Sequence, residues 1–373
     1  MDAQEVEERL TTDLFFFAEE APLLIKDKQG NLVKWRPNIA QKYMQHCAED
    51  QKRRKGWVRL LLLKGRQQGG STWVGCRYYH RTRSKPGTST FILSHEGKTT
   101  QKLFGMVERM HENVLPELRP AVGKSNVNQL TFPALGSDYA VGTAGNEHVG
   151  RGGTAQLFHG SEVAYWEKAY AIQEGALKSI ALMPGTEVIL ESTADGPYGL
   201  FYDKCMLALK KLGDYEMVFV PWFFQDEYER EIEPSFELTE EEEKYAADYF
   251  SEPFFSEREA PTRDRVLRKL AWRRAEVLDG ATANGGINLD AGRAKFRRVY
   301  PSNPVEAFLY TGIGLVQADA IMAARKSRIE DTAAPLIAGV DPAGDSDTSD
   351  RTVIALRRGR VLHHFFSLGH SHF

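Results

Sequence analysis

Cysteine is scarce in this sequence. The three cysteines, Cys47, Cys76 and Cys205, lie far apart and form no CxxC pair, which disfavours a structural zinc site or a disulfide framework. Long hydrophobic runs are also missing. Stretches such as residues 60–63 are far shorter than the roughly 20 residues of a membrane-spanning helix, so we expect no membrane contact. The first ten residues, MDAQEVEERL, are acidic and polar, unlike a signal peptide.

A strong charge of one sign is absent as well. The 48 Lys and Arg residues against 51 Asp and Glu residues leave a net charge of -3, so any contact with nucleic acid must come from local basic patches. Hydrophobic residues make up 42% and charged residues 27% of the chain, a balance typical of globular proteins. The length of 373 residues predicts two or three domains.

Short apolar runs alternate with helical patterns between residues 57 and 224. Strands are predicted at residues 57–63, 89–94, 154–159, 186–192 and 217–224, with helices from Ser71 and over residues 97–113. This alternation is typical of βαβ units, so we predict an α/β fold whose mostly parallel sheet is covered by helices on both faces.

The composition changes after this region. Residues 225–300 are rich in charge and mostly helical in pattern, and strand patterns return at residues 336–341, 352–359 and 360–366. We therefore predict a core over residues 1–224, a mostly helical subdomain over residues 225–330, and the first strands of a further domain over residues 331–373. Basic residues at 263–274 and 293–298 could contact DNA phosphates, or form a solvated helix face.

A glycine-rich segment follows the first predicted core strand and precedes a helix. It reads Lys64-Gly65-Arg66-Gln67-Gln68-Gly69-Gly70-Ser71-Thr72. Such loops bind phosphates through backbone N–H groups at a helix N-terminus. Gly69 and Ser71 have the spacing of GxxxxGK[ST], but Lys64 replaces the first glycine and Gly70 replaces the lysine, so Arg66 or Lys64 would supply the cation. A glycine-rich turn without a ligand is the alternative.

Polar residues follow two further predicted strands. Glu162 comes after residues 154–159 and is the candidate to activate a water molecule, and Ser161 occupies the preceding position, where an ATPase usually has Asp. Ser192 and Thr193 end the strand at residues 186–192, where ligands bind in open parallel sheets. Arg151, between Gly150 and Gly152, is a candidate arginine finger. The alternatives are a solvated glutamate, a Ser/Thr turn and a plain surface arginine.

In this order, the motifs resemble those of one family, the large terminase subunit of tailed bacteriophages, an ATP-driven motor that packages DNA. PNIAQ, ending at Gln41, resembles the adenine-side glutamine motif of the family, and GRQQGGST resembles its variant phosphate loops. The other matching segments are GRGGTAQLFHGSEVAYW, ESTADGPYGLFYD, YPSNPVEAF (residues 300–308) and GVDPAGDSDTSDRTVIAL (residues 339–356).

The resemblance implies a P-loop ATPase core of the RecA/ASCE type, a helical linker and the start of an RNase H-like nuclease domain, with ATP and Mg²⁺ as cofactors. Residues 64–72 and Gln41 would bind ATP, Ser71 would hold Mg²⁺, and Arg66 would supply the cation. Glu162 would activate water and Arg151 would act on the ATP of a neighbouring subunit. Ser192 and Thr193 would couple hydrolysis to movement.

For the nuclease, the resemblance implies that Asp341 is the first carboxylate that binds a divalent metal. Family nucleases use further carboxylates downstream, so we expect the domain to be truncated and without endonuclease activity here, and Asp345, Asp347 and Asp350 to form a solvated turn. The implied partners are double-stranded DNA, a portal protein and a small terminase subunit, with the chain forming a homo-oligomeric ring during packaging. The implied location is the cytoplasm of the infected bacterial host, with transient docking on the procapsid.

Two other functions are compatible with these motifs. One is a different P-loop DNA translocase or helicase with the same core. The other is a truncated remnant that binds DNA without turning over ATP, which Gly70 and Ser161 favour because they replace the usual lysine and aspartate.

Overall fold

A computed structural model of the protein describes residues 2–123, 125–126, 128–145, 155–250, 261–283, 286–308, 333–341, 352–359 and 361–368. The chain divides into two compact units, Met1–Thr311 and Gly312–Phe373. Across the described residues, no helix has both the length and the apolar character needed to cross a membrane.

The first unit contains most of the secondary structure. Its amino-terminal half consists of α1 (Ala3–Thr12), α2 (Leu14–Glu20), β1 (Leu24–Lys26), β2 (Leu32–Lys34), α3 (Ile39–Lys55), β3 (Val58–Lys64), α4 (Gly70–Ser84), β4 (Ser89–Ser94), α5 (Gly97–Asn113), β5 (Ser125–Asn126), β6 (Gln129–Phe132) and β7 (Ser137–Thr143). It continues with β8 (Leu157–Ser161), α6 (Ala169–Ile172), β9 (Glu187–Ser192), α7 (Gly199–Leu209), β10 (Glu216–Val220), α8 (Glu240–Tyr249), α9 (Arg263–Ala281), β11 (Thr282–Ala283), β12 (Gly286–Ile287), α10 (Leu289–Val299) and α11 (Pro304–Ala307).

The described residues build a mixed sheet in the order β10-β3-β9-β8-β4-β7-β6-β5. The strands from β10 to β7 pair in parallel, whereas β6 and β5 join in antiparallel fashion. The predicted α/β class with a mostly parallel sheet is confirmed. The carboxyl ends of β3, β9 and β8 lie side by side, and this edge carries the candidate site.

Two hydrophobic cores cover the sheet. Leu60 and Leu62 of β3 pack on one core, which includes residues of α3, α4 and α5. Leu61 and Leu63 pack on the other core, which includes residues of α6 and α7. Because successive side chains of a strand point to opposite faces, a strand buried on both faces needs an uninterrupted apolar run, which explains the sequence of β3.

Two strand predictions differ from the structure. The predicted strand at residues 217–224 ends at Val220, because Pro221 has no N–H group to donate to a ladder and residues 222–224 form a 3₁₀ turn. Trp222 is nevertheless fully buried, so apolarity in this segment reflects core packing and not strand pairing. The strand predicted at residues 154–159 is β8, which runs from Leu157 to Ser161.

The helical region after β10 packs through aromatic rings and ion pairs. Trp272 of α9 stacks on Tyr228, with ring centroids 4.2 Å apart, and on Trp222 at 5.3 Å. Basic side chains of α9 pair with carboxylates, as in Arg263–Glu243, Arg265–Glu229, Arg268–Asp264 and Arg274–Glu242. These arginines of α9 therefore form ion pairs within the protein. Contact between this helix and DNA stays a prediction. The predicted boundary at residue 330 lies outside the described residues.

The second unit contains a three-stranded antiparallel sheet. Its strands are β13 (Leu336–Asp341), β14 (Thr352–Arg358) and β15 (Val361–Leu368), in that order. The three predicted strands are present. Asp341 is the last residue of β13 and pairs with Val353, whereas Asp345, Asp347 and Asp350 lie outside the described residues.

A buried ion-pair network fixes the amino end of β9. Arg77 of α4 donates two hydrogen bonds of 2.8 Å to the carboxylate of Glu187, and Arg81 also contacts this group. Glu187 is 1% exposed. Burial acts to raise the pKa of Glu187, but the two arginines outweigh it and lower the pKa from 4.5 to about 2.

We expect Glu187→Gln to lower the free energy of unfolding by about 3–5 kcal/mol at neutral pH, because the buried Arg77 and the partly buried Arg81 lose the carboxylate that they share. Since the folded-state pKa is depressed, this stabilisation is present above pH 4.5 and is lost as the pH falls towards 2. Urea unfolding at a series of pH values measures the effect. Glu216→Gln is the matched control: Glu216 pairs with Arg54, both are 41% exposed, and we expect less than about 1 kcal/mol. Equal losses in the two variants would contradict the assignment.

Candidate functional site

The loop between β3 and α4 turns sharply at two positions. Gly69 has a φ of 74° and Gln67 has a φ of 55°, a left-handed conformation that is uncommon and costly for a residue with a side chain. Within the described part of the chain, no acceptor pairs with the backbone N–H groups of residues 67–72. This series begins before the first turn of α4, so the loop offers more unpaired N–H groups than an ordinary helix start. Such an arrangement favours an anion.

The side chain of Lys64 fills the space beside Gly70. Lys64 is 6% exposed, and a Cβ atom placed on Gly70 would lie 3.2 Å from its Cδ atom. The ammonium group lies 3.3 Å from Oε1 of Glu162 and 3.4 Å from Oε2 of Glu191. Arg66 is exposed. Between the two cations that the sequence left open, the geometry therefore favours Lys64, and the role predicted for Arg66 stays a prediction.

Glu191 lies at the centre of the site, although the sequence predicted no role for it. It is completely buried, and its Oε1 atom accepts hydrogen bonds from the Ser71 hydroxyl, from Ser161 Oγ at 3.1 Å and from His159 Nε2 at 3.1 Å. Its Oε2 atom has no hydrogen-bond partner among the described residues. Glu191 therefore links the loop to the ends of β8 and β9.

Electrostatics keep this cluster charged. Burial acts to raise the pKa of Glu191, but Lys64, His159 and Ser71 outweigh it and hold that pKa well below its ordinary range. Burial acts to lower the pKa of Lys64, yet Glu191 and Glu162 raise it above its ordinary value. The site therefore holds a buried ammonium group between two carboxylates, next to the unpaired N–H groups of the loop.

Glu162 follows β8 directly and has a left-handed backbone with a φ of 54°. Its side chain is 25% exposed, so it can meet solvent. Ser192 Oγ donates to Oε2 of Glu162 at 3.4 Å, and the Thr193 hydroxyl lies 3.1 Å from the hydroxyl of Tyr165. The structure thus brings both predicted coupling residues into contact with the segment that carries the predicted catalytic carboxylate.

Gln41 contacts the loop from the start of α3. Its Oε1 atom accepts from Trp35 Nε1 and from the Asn38 N–H group, each at 3.1 Å, and its Nε2 atom donates to the Gly69 carbonyl at 3.0 Å. The side chain therefore caps α3 and positions the end of the loop at the same time. Its predicted contact with adenine stays a prediction.

The region after β10 forms hydrogen bonds with residues 66–68 of the β3–α4 loop. The Arg66 N–H group donates to the Val299 carbonyl at 3.3 Å, and Tyr228 donates to the Arg66 carbonyl at 2.9 Å. Two further side-chain bonds, Gln68 to the Trp222 carbonyl and Gln225 to the Gln67 carbonyl, complete the contact. The segment YPSNPVEAF begins here, and its Pro301 carbonyl accepts from the Trp222 N–H group at 3.2 Å.

The structure does not test the placement of two predicted site residues. Arg151 lies outside the described residues, and Asp341 belongs to the second unit. Within the described residues, no group of three or more His, Cys, Asp or Glu side chains is suited to a metal ion. Sequence reasoning missed Glu191 and His159, although a charged or polar residue inside a buried apolar strand was a usable signal.

We expect Gly69→Ala to weaken the ATP binding that the sequence predicts for this loop. An added Cβ atom would lie 2.6 Å from Nε2 of Gln41, so the Gln41 amide or the loop must shift, and the hydrogen bond from this amide to the Gly69 carbonyl would be disturbed. The matched control is Gly30→Ala, because Gly30 also has a positive φ of 89° but its added Cβ meets no atom within 4 Å. Each alanine costs about 1–2 kcal/mol of stability through the left-handed backbone. Calorimetric titration with ATP should detect weaker binding only in Gly69→Ala, and equal ATP affinities would contradict this role.

Similarity to known proteins is found in the fold and not in the sequence. No protein-family model matches the sequence, and no curated protein sequence matches it. The crystal structure of the large terminase of bacteriophage HK97 matches with a TM-score of 0.51 at 14% sequence identity, over 94% of this chain and 64% of that chain. The present chain thus spans less than two thirds of the length of the HK97 protein.

Two other solved structures match less extensively. The ATPase domain of the large terminase of Thermus phage P74-26 has a TM-score of 0.37 and 17% identity, over 45% of this chain and 77% of that chain. The large terminase of a thermophilic bacteriophage, solved in complex with ADP, has a TM-score of 0.38 and 12% identity, over 56% of this chain and 48% of that chain. Both of these TM-scores are below 0.5, so the similarity in fold is based on the HK97 structure. By that comparison, the chain is structurally similar to bacteriophage large terminases.

Proposed function

We propose that the chain is an ATPase whose phosphate-binding loop is the β3–α4 segment, in a core of the P-loop RecA/ASCE type. The observation that carries this proposal is that Lys64 pairs with Glu162 and Glu191 beside Gly70, and that Ser71 bonds to Glu191, in a loop whose N–H groups at residues 67–72 have no partner among the described residues. They come together at the carboxyl edge of a parallel sheet, where such folds bind ligands.

Each residue has a defined task in this proposal. The loop N–H groups and Lys64 would bind the phosphates, and Glu162 would accept the proton of the attacking water. Ser71 suits Mg²⁺ as a ligand, because it donates its proton to Glu191 and leaves its lone pairs available. Bound Mg²⁺ would neutralise charge on the phosphate oxygens. Arg151 would stabilise the transferring phosphoryl group of a neighbouring subunit.

We further propose that hydrolysis drives double-stranded DNA into a procapsid, as in the phage terminases that the fold resembles. The contacts of Ser192 with Glu162 and of Thr193 with Tyr165 support a coupling role for both residues. The chain would then work as a ring of copies on a portal protein, with a small terminase subunit, in the cytoplasm of the infected host.

For the second unit we propose an RNase H-like nuclease fold with Asp341 as a ligand of a divalent metal. The support is the antiparallel order β13-β14-β15 with Asp341 at the end of its first strand. We propose no endonuclease activity for the described residues, because a two-metal nuclease site needs further carboxylates beside Asp341.

Phosphate release from ATP, with and without linear double-stranded DNA, tests the proposed function. We expect magnesium-dependent release that double-stranded DNA stimulates, and no unwinding of forked DNA. Absence of phosphate release under all these conditions would overturn the ATPase, and unwinding of forked DNA would instead indicate a helicase.

A further inference from the structure

The site lacks the carboxylate that P-loop ATPases place before the catalytic glutamate. In those enzymes Mg²⁺ is held by the Ser or Thr of the loop together with an Asp at the end of the acidic strand. Here that position is Ser161, whose side chain cannot carry a charge. The loop serine, Ser71, therefore needs another partner if the site is to hold Mg²⁺ with ATP.

The carboxylate of Glu191, on the neighbouring strand β9, lies beside the side chain of Ser161. In the parallel pairing of β8 with β9, Ser161 lies directly opposite Glu191, and their side chains are hydrogen-bonded at 3.1 Å. The Ser71 hydroxyl donates its hydrogen bond to the same Oε1 atom of Glu191. A carboxylate therefore stands next to the loop serine although position 161 has none.

Two small residues make room for this arrangement. A Cβ atom on Gly70 would lie 2.8 Å from Oε2 of Glu191 and 3.2 Å from Cδ of Lys64, so an ordinary side chain at position 70 would collide with both. An aspartate at position 161 would put a second negative charge beside Glu191. Gly70 and Ser161 thus leave the space and the charge balance that suit a Lys64–Glu191 pair at these positions.

We propose that Glu191 is a positioning residue that replaces the missing carboxylate at position 161, and that it orients the Ser71 hydroxyl as a ligand for the Mg²⁺ of bound MgATP. The proposal rests on the proposed ATPase function. It goes beyond a role as counter-ion to Lys64, because Oε1 receives Ser71, Ser161 and His159 while only Oε2 faces the ammonium group. That Oε2 atom is buried and has no hydrogen-bond partner among the described residues.

The test measures ATP affinity and not turnover. Every variant keeps Glu162, which still pairs with Lys64 at 3.3 Å, and is titrated by calorimetry with a non-hydrolysable ATP analogue in excess Mg²⁺ and again in EDTA. In the parent we expect Mg²⁺ to strengthen ATP binding. Glu191→Gln should lower this magnesium enhancement by about 10–100-fold, the usual effect of removing a group that orients a metal ligand, and should leave the affinity in EDTA nearly unchanged.

A rescue variant separates this role from general damage. Ser161→Asp combined with Glu191→Gln moves the single carboxylate from position 191 on β9 to position 161 on β8. We expect this double variant to recover most of the magnesium enhancement. Ser161→Asp alone, with two adjacent carboxylates, should be less stable in thermal unfolding. If Glu191→Gln does not fold, the double variant decides: magnesium-enhanced binding supports the proposal, and magnesium-independent binding or failure to fold overturns it.

The outcomes distinguish this inference from the function on which it rests. A parent that binds no ATP in either buffer overturns both. If Mg²⁺ strengthens ATP binding equally in the parent and in Glu191→Gln, the role of Glu191 is overturned. The proposed ATPase function is not affected by that result.

Discussion

Replacing Glu162 by glutamine is expected to lower ATP turnover by about 10²–10⁴-fold, the contribution of a positioned general base, while ATP binding stays close to that of the parent. The amide keeps the size of the side chain but cannot accept the proton of the attacking water. Lys64 retains Glu191 as a partner at 3.4 Å, so the loop should keep its geometry. Steady-state phosphate release gives the turnover, and calorimetric titration with ATP gives the affinity.

Glu167→Gln is the matched control for this prediction. Glu167 is exposed and lies five residues after Glu162 in the sequence, so its replacement makes the same chemical change on the surface without touching the Lys64–Glu191 pair. We expect its turnover to equal that of the parent. Unchanged turnover in Glu162→Gln would show that another group activates the water.

Replacing Lys64 by methionine should have two effects. It leaves Glu191 buried without its cation, which costs about 3–5 kcal/mol in the free energy of unfolding. It also removes the buried positive charge beside the loop, and the loss of a charged hydrogen bond to phosphate corresponds to about 10–100-fold in ATP affinity. Urea unfolding and ATP titration measure the two effects on the same samples.

Two variants serve as controls for Lys64→Met. Arg66→Met removes an exposed cation, and we expect a stability change within about 0.5 kcal/mol and nearly parental ATP affinity. Lys64→Met combined with Glu191→Gln removes both charges of the pair, so it should regain stability without regaining ATP affinity. Full ATP affinity in Lys64→Met together with its loss in Arg66→Met would make Arg66 the phosphate-binding cation.

The local elements of the core were predictable from the sequence, and the reason is physical. The predicted bounds of residues 89–94 and 97–113 coincide with β4 and α5, because a strand buried on both faces is a continuous apolar run and an amphipathic helix has a period of 3.6 residues. Both signals are local, so no knowledge of distant contacts was needed. The same reasoning overextended β10 beyond Val220, since apolar residues packed in a core resemble a strand.

The arrangement of side chains within the site was harder to predict from the sequence. Ser71, Ser161 and Glu191 are far apart in sequence, and only the strand order and the register of β8 against β9 bring them together. The order of the loop and the acidic segment along the chain does not reveal which strands are neighbours. For this reason Ser161 resembled a defect in the sequence, whereas the structure places Glu191 opposite it.

The contacts of Gln41 could also be predicted only in part from the sequence. The motif led to the expectation that it faces adenine, and the structure brings it to the Gly69 carbonyl at 3.0 Å. A capping residue at the start of α3 can be recognised from the spacing of Asn38 and Gln41, but its second contact depends on how α3 packs beside the loop.

Calorimetric titration of the intact chain with ATP in the presence of Mg²⁺ tests the central claim most directly, because every proposed role depends on the β3–α4 loop holding a nucleotide triphosphate. We predict saturable uptake of ATP that weakens when Mg²⁺ is removed and that Lys64→Met weakens by about 10–100-fold. No detectable uptake by the folded chain, or uptake that neither Lys64→Met nor Arg66→Met weakens, would contradict the claim that this loop holds the nucleotide.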